Sequence, residues 1–133
     1  MANNPKTAIA LRNAGLDAAL ALVNGGRLRI YDGTQPTNAD TALGAQVLLA
    51  DLALNATFGA AASGGVKTAN AITSDASADA TGTATWGSLL TSGNVRSLDF
   101  SVGTSGADLN LNSVAIQAGA TVAVSSLTVT QGP

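Results

Sequence analysis

Few residues in this chain are able to do chemistry. It has no His, no Cys and no Glu, and its eight acids are all Asp. A serine or cysteine nucleophile needs an imidazole or an equivalent base beside it, and ordinary zinc sites need His or Cys. The densest acidic stretch is Thr73–Gly82, where Asp75, Ser77 and Asp79 alternate as oxygen ligands do in calcium loops. An EF-hand loop closes with a bidentate Glu, which this chain lacks, so the stretch reads as a solvated turn. Acid–base catalysis would need a pair of Asp carboxylates, one kept protonated by burial. Each Asp falls in a turn-like or outward-facing context, with Asp51 as the one exception. No catalytic, metal-binding or cofactor-binding residue is expected, and the chain reads as a non-enzyme that needs no cofactor.

Two further groups could bind rather than react. Arg27, Arg29 and Tyr31 share one face of an alternating segment and could meet an acidic partner surface or a phosphate. The same face would serve equally as a charged sheet edge that discourages unwanted pairing. Trp86 is the single Trp and is flanked by small residues. It reads as a core residue, and one aromatic makes a poor platform for a sugar.

These side chains must be positioned by one domain, since 133 residues suffice for one and not for two ordinary ones. The stretch 5–24 (PKTAIALRNAGLDAALALVN) has helical periodicity. At about 100° per residue, Ile9, Leu16, Leu20 and Val23 share one face while Leu11, Ala18 and Leu22 share the opposite one. Gly25-Gly26 ends the helix. A helix apolar on two sides suits two partners, its own domain and a neighbouring subunit, although a short Ala-rich helix looks apolar all round in any case.

After Gly26 the period changes to two. Arg27–Tyr31 alternates cleanly, and Asp32–Pro36 opens a loop that runs to about Gly44. Strands are expected in Gln46–Asn55, Val66–Thr73 and Thr81–Leu90. A turn at Thr91–Asn94 leads to Val95–Val102, with Leu98, Phe100 and Val102 inward and Arg96 and Asp99 outward. Asp108–Asn112 alternates, then slips phase at Asn112-Ser113, and a second slip near Ser125-Ser126 separates Val122 and Val124 from Leu127 and Val129. The resulting expectation is an all-β fold, a β-sandwich or jelly roll of seven to eight short strands, with one N-terminal α-helix. Residues 1–26 form a helical arm and 27–133 a single β-sandwich domain.

Charged residues make up 11% of the chain against a usual ~25%, and the net charge is −2. Phosphate-backbone binding has little to work with, so no nucleic-acid partner is expected. The neutral, Thr- and Ser-rich faces repel one another weakly, which suits an assembled state. No apolar run reaches the ~18 residues of a transmembrane helix, so no membrane partner is expected. Arg12, Asn13 and Asp17 interrupt the N-terminal apolar stretch and argue against a secretory leader.

Four stretches, Met1–Asp17 (MANNPKTAIALRNAGLD), Leu28–Pro36 (LRIYDGTQP), Ala71–Thr85 (AITSDASADATGTAT) and Ser101–Ser113 (SVGTSGADLNLNS), resemble small virion proteins of tailed bacteriophages. The resemblance covers most of the chain and is to the capsid decoration, or cement, type. It implies a β-rich, often jelly-roll or sandwich module on the outer surface of the virion head, made in the cytoplasm of the host bacterium. The implied partners are the major capsid protein and further copies of the chain, as a dimer or trimer. The resemblance assigns no contact residues. The residues themselves suggest Leu11, Leu22, Arg27, Arg29 and Tyr31 as a partner interface. The rival readings are a tail component or receptor- or glycan-binding knob, and a glycan-cleaving enzyme with a buried carboxylate pair.

Overall fold

The structure, a computed structural model, describes residues 8–130. It contains one helix, α1 (Ile9–Ala21), followed by β1 (Arg27–Tyr31), β2 (Leu48–Ala53), β3 (Val66–Thr68), β4 (Gly82–Thr83), β5 (Trp86–Leu90), β6 (Arg96–Gly103), β7 (Leu109–Leu111), β8 (Ala115–Ile116) and β9 (Val124–Thr130). The nine strands exceed the seven or eight expected because Thr81–Leu90 divides into β4 and β5, and β8 follows the turn at Asn112-Ser113. Seven strands form one sheet in the order β2-β1-β5-β6-β7-β9-β3, and β4 pairs with β8. The large sheet is mixed. The β6–β7 pair is parallel, through Val102↔Leu109 and Gly103↔Asn110 alone. The phase slip near Ser125 is a real bulge: Asn110 pairs with Ser126 and Leu111 with Val124, which skips Ser125.

The sheet's inner face follows the sequence parity. Leu28 and Ile30 of β1, Leu52 of β2, Leu89 of β5 and Phe100 of β6 are buried together with Leu16, Leu20 and Val23. Residues 9–26 therefore contribute to the same core as the strands. Ile9 departs from expectation. It lies on the core-facing stripe but is 52% exposed, because burial along α1 begins at Leu16 and the first turn extends past the core. The expected start at residue 5 lies outside the described residues. The helix ends at Ala21, three residues before the expected end at Asn24, and a turn leads to Gly25, which at φ +65° donates its N–H to Asn55 O (2.9 Å). Gly26 passes so close to β5 that a Cβ there would stand 2.0 Å from Leu90 O.

A polar stripe flanks the apolar one on α1. Asn13 Oδ1 accepts from Gly65 N (2.9 Å), Asp17 Oδ1 from Ala62 N (2.9 Å), and Asn24 Oδ1, just past the helix, from Phe58 N (2.7 Å). These bonds fasten the Gly/Ala/Ser tract 59–65 along the helix and give its backbone the partners that strands would otherwise supply. Asp17 also accepts from Lys67 Nζ (2.7 Å), and that ammonium donates to Ala60 O (3.0 Å). Lys67 is only 6% exposed. The Lys67 hydrogen bond, then the Ala62 N–H, hold the Asp17 carboxyl below its ordinary value of 3.8, against a smaller opposing effect of desolvation.

Two expectations follow. Gly26→Ala should cost about 1–3 kcal/mol, since the backbone of β5 must shift to admit the methyl group; an unchanged urea midpoint would contradict the close approach. Because the folded-state pKa of Asp17 is depressed, its contribution is present above the ordinary value of 3.8 and is lost as pH falls through the folded value. Stability of Asp17→Asn measured between pH 7 and pH 2 should therefore fall less steeply in the acid limb than that of the parent chain.

Candidate partner interface

The long β1–β2 connection decides what the sheet's outer face can do. Tyr31 and Trp86 are cross-strand neighbours and stack at 4.5 Å between centroids and 13° between planes. The Arg96 guanidinium lies over the Trp86 ring at 5.6 Å. Trp86 Nε1 donates to Asp32 O (3.0 Å), Thr85 Oγ1 to Gly33 O (2.7 Å), and Arg96 to Thr41 O and to the Asp99 carboxylate. The loop from Asp32 to Val47 is thus drawn down over the outer face of β5 and β6, and every residue of β5 is buried.

This corrects two expectations. Tyr31 is 4% exposed and so shares no open face with Arg27 and Arg29. Arg96 and Asp99 are expected outward, and a register shift between Leu89 and Leu90 does set both on the outer face, yet their side chains are only 13% and 3% exposed, because the loop covers them. Ser88 Oγ, Arg96 Nε and Asp99 Oδ1 are buried there without a partner among the described residues.

Arg27 and Arg29 sit beside the covered region and share one carboxylate. Arg27 Nε donates to Asp51 Oδ1 (2.7 Å) and Arg29 Nε to Asp51 Oδ2 (3.3 Å). The three side chains are 40%, 28% and 23% exposed, so a surplus of one positive charge reaches solvent there. The Asp75 loop serves as a scaffold. Asp75 accepts from the N–H of Asp51 (3.0 Å) and of Ser77 (3.0 Å), which occupies both of its oxygens. Among the described residues no three His, Cys, Asp or Glu side chains gather as metal ligands, and no helix is long and apolar enough to cross a membrane.

Exposed large apolar residues lie at Val95, at Leu43 and Val47 of the long loop, and on and just after α1 at Ile9, Leu11 and Leu22. Leu11 is 61% and Leu22 65% exposed, eleven residues apart and hence on one side of the helix. Leu22 also borders a groove of about 430 Å³ floored by Leu16, Ala19, Leu20 and Val23 and rimmed by Ser97, Leu98, Val129 and Thr130. A smaller depression of about 120 Å³ shares Leu98, Val129 and Thr130 with it and extends toward Phe100, Asp108 and Thr128. Residues 97–98 and 129–130 were not singled out from sequence. Their signal is weak, because β6 and β9 alternate acceptably as ordinary paired strands. The structure therefore brings Leu11 and Leu22 onto one surface, sets Arg27 and Arg29 apart as a paired cluster, and removes Tyr31.

No family model, curated protein or solved structure matches the chain. The arrangement offers apolar surface next to a shallow groove.

The two sides of α1 should separate in mutants. Leu16→Ala should cost about 2–4 kcal/mol by emptying core volume. Leu11→Asp, at an exposed position, should leave stability within about 0.5 kcal/mol of the parent. Chemical denaturation of both variants checks this; equal losses would mean that Leu11 is packed within the domain.

Proposed function

We propose that the chain is a structural virion protein of the capsid decoration type, which binds the outer surface of the major capsid protein lattice and stabilises the mature head. The observation that carries this is the outward apolar side of α1, Leu11 and Leu22, beside a groove and on a domain whose other polar clusters are internally paired. The resemblance of four stretches of the chain to small phage virion proteins supports the same reading. The reading includes a sandwich or jelly-roll arrangement in which β2-β1-β5-β6 and β7-β9-β3 are the two layers and the two-residue β6–β7 pairing is the corner between them. It also includes a homo-oligomer, dimer or trimer, on the capsid surface.

A protein of this kind acts through binding equilibrium. Affinity for the expanded lattice over the immature one shifts the head toward its mature state and raises its resistance to disruption. Many small apolar contacts suffice, and salt affects them little.

Purified protein should bind expanded heads that lack it and make them more resistant to heat and osmotic shock. Affinity should change by less than about tenfold between low and high salt, because charge contributes little. Leu11→Asp should weaken binding, while Arg27→Ala with Arg29→Ala should leave it largely intact. If the arginine pair abolishes binding in a folded protein, the interface is the β1 face. If heads without the protein are as resistant as complete ones, the decoration reading fails and a tail or receptor-binding role takes its place.

A further inference from the structure

We propose that Asn24 is a self-modification site: the main-chain nitrogen of Gly25 attacks the Asn24 side-chain amide, and the fold decides when it does. Asn24 is the one asparagine of the chain that glycine follows. Such an attack needs a following residue without a Cβ, because a side chain there crowds the approach to Cγ. Gly25 meets that need, and apart from its chain neighbours no atom stands within 4 Å of where its Cβ would be. Asn24 itself is exposed in the turn after α1, so water reaches its amide.

Water is the only co-reactant. Gly25 N bonds to Asn24 Cγ, the bond from Cγ to Nδ2 breaks, and the side-chain nitrogen leaves as ammonia with the proton that Gly25 N gives up. A cyclic imide remains, and nothing is oxidised or reduced. Water then opens the imide at one of its two carbonyls. One opening leaves an aspartate. The other leaves an isoaspartate, in which the main chain runs through the former side chain and gains a methylene. Either product carries one further negative charge, placed beside the carbonyl end of α1, where an anion is unfavourable.

One segment, Asn55–Phe58, holds both reacting groups. Gly25 N donates to Asn55 O (2.9 Å), which ties up the attacking nitrogen, and Phe58 N donates to Asn24 Oδ1 (2.7 Å), which fixes the side chain. The Phe58 N–H is aimed at the oxygen that turns negative when Cγ is attacked, so it favours the addition once Gly25 is free. Freeing Gly25 is the difficult part. Gly26 donates to Val23 O (2.9 Å), accepts from Leu54 N (3.0 Å) and lies so close to Leu90 O that the turn cannot shift alone. Reaction therefore waits on local opening of the connection between α1 and β1. Isoaspartate then inserts an extra carbon where the backbone has no room for it. Leu54 and Phe58 lose their acceptors, and α1, with Leu11 and Leu22, loosens from the sheet for good. The inference stands apart from the decoration reading.

The test incubates the full chain in mildly alkaline buffer, either folded, in sub-denaturing urea or in denaturing urea. Mass spectrometry of the tryptic fragment Asn13–Arg27 follows replacement of the Asn24 NH2 by OH, and chromatography separates the two products. In denaturing urea both should form at Asn24, and Asn24→Gln, whose longer side chain cyclises far more slowly, should abolish them. In the folded chain they should form at least about tenfold more slowly, because the Gly25 hydrogen bond and its surroundings must first open. In sub-denaturing urea, conversion should quicken in step with hydrogen exchange of the Gly25 amide. The isoaspartyl form, purified and returned to buffer, should have lost protection at the Leu54 and Phe58 amides. The proposal is overturned if the denatured chain keeps its Asn24 amide, if folded and denatured chains convert at one rate, or if the isoaspartyl form keeps both amides protected.

Discussion

A single buried cation organises this protein. Lys67 lies on the short strand β3 with almost none of its side chain in solvent. A desolvated ammonium is costly unless a carboxylate and further acceptors surround it. Asp17 and the carbonyl of Ala60 are those partners, and Asp17 is on the helix. Meeting the needs of Lys67 therefore fixes the rotation of α1. With Asp17 turned toward β3, Leu16, Leu20 and Val23 enter the core on one flank. Asn13 and Asn24 reach the backbone of the 59–65 tract and of Phe58 on the other. Leu11 and Leu22 are left facing out. The surface offered to a partner is thus a consequence of how a lysine is buried on the far side of the helix.

A second constraint closes the opposite face. Trp86 and Arg96 hold the Asp32–Val47 loop through main-chain carbonyls of Asp32 and Thr41. The loop has no strand or helix of its own, so these side-chain bonds stand in for secondary structure. Between the loop on one face and the apolar core on the other, β5 is buried on both sides. Arg27 and Arg29, beside the loop, are bound to Asp51, which takes its backbone support from Asp75.

Much of this was legible in the sequence, for physical reasons. β1 begins and ends where period-two alternation does, the helix stops within one turn of its glycines, and the bulge at Ser125 shows as a phase slip. What parity cannot report is what lies on top of a face. Tyr31, Trp86 and Asp99 have outward parity, Arg96 reaches the same face through the register shift between Leu89 and Leu90, and the loop that covers them has no periodic pattern to announce itself. An outward Trp next to a long loop was the available clue. Likewise, Asn13, Asp17 and Asn24 share one flank at about 100° per residue, a regularity hidden when the helix is read for apolar residues alone. The parallel β6–β7 pair was not legible at all, because it is a two-residue contact set by the turn at Thr104–Asp108.

The most direct test of the lysine-centred account is native-state hydrogen exchange at Phe58, Ala62 and Gly65, the three amides that donate to Asn24, Asp17 and Asn13. If burial of Lys67 fixes the helix, all three are protected well above the rate of an open loop, and Asp17→Ala lowers that protection at Ala62 and Gly65 together. Exchange of Ala62 and Gly65 at open-loop rates in the parent chain would contradict the account, since the helix would then be held by its apolar face alone.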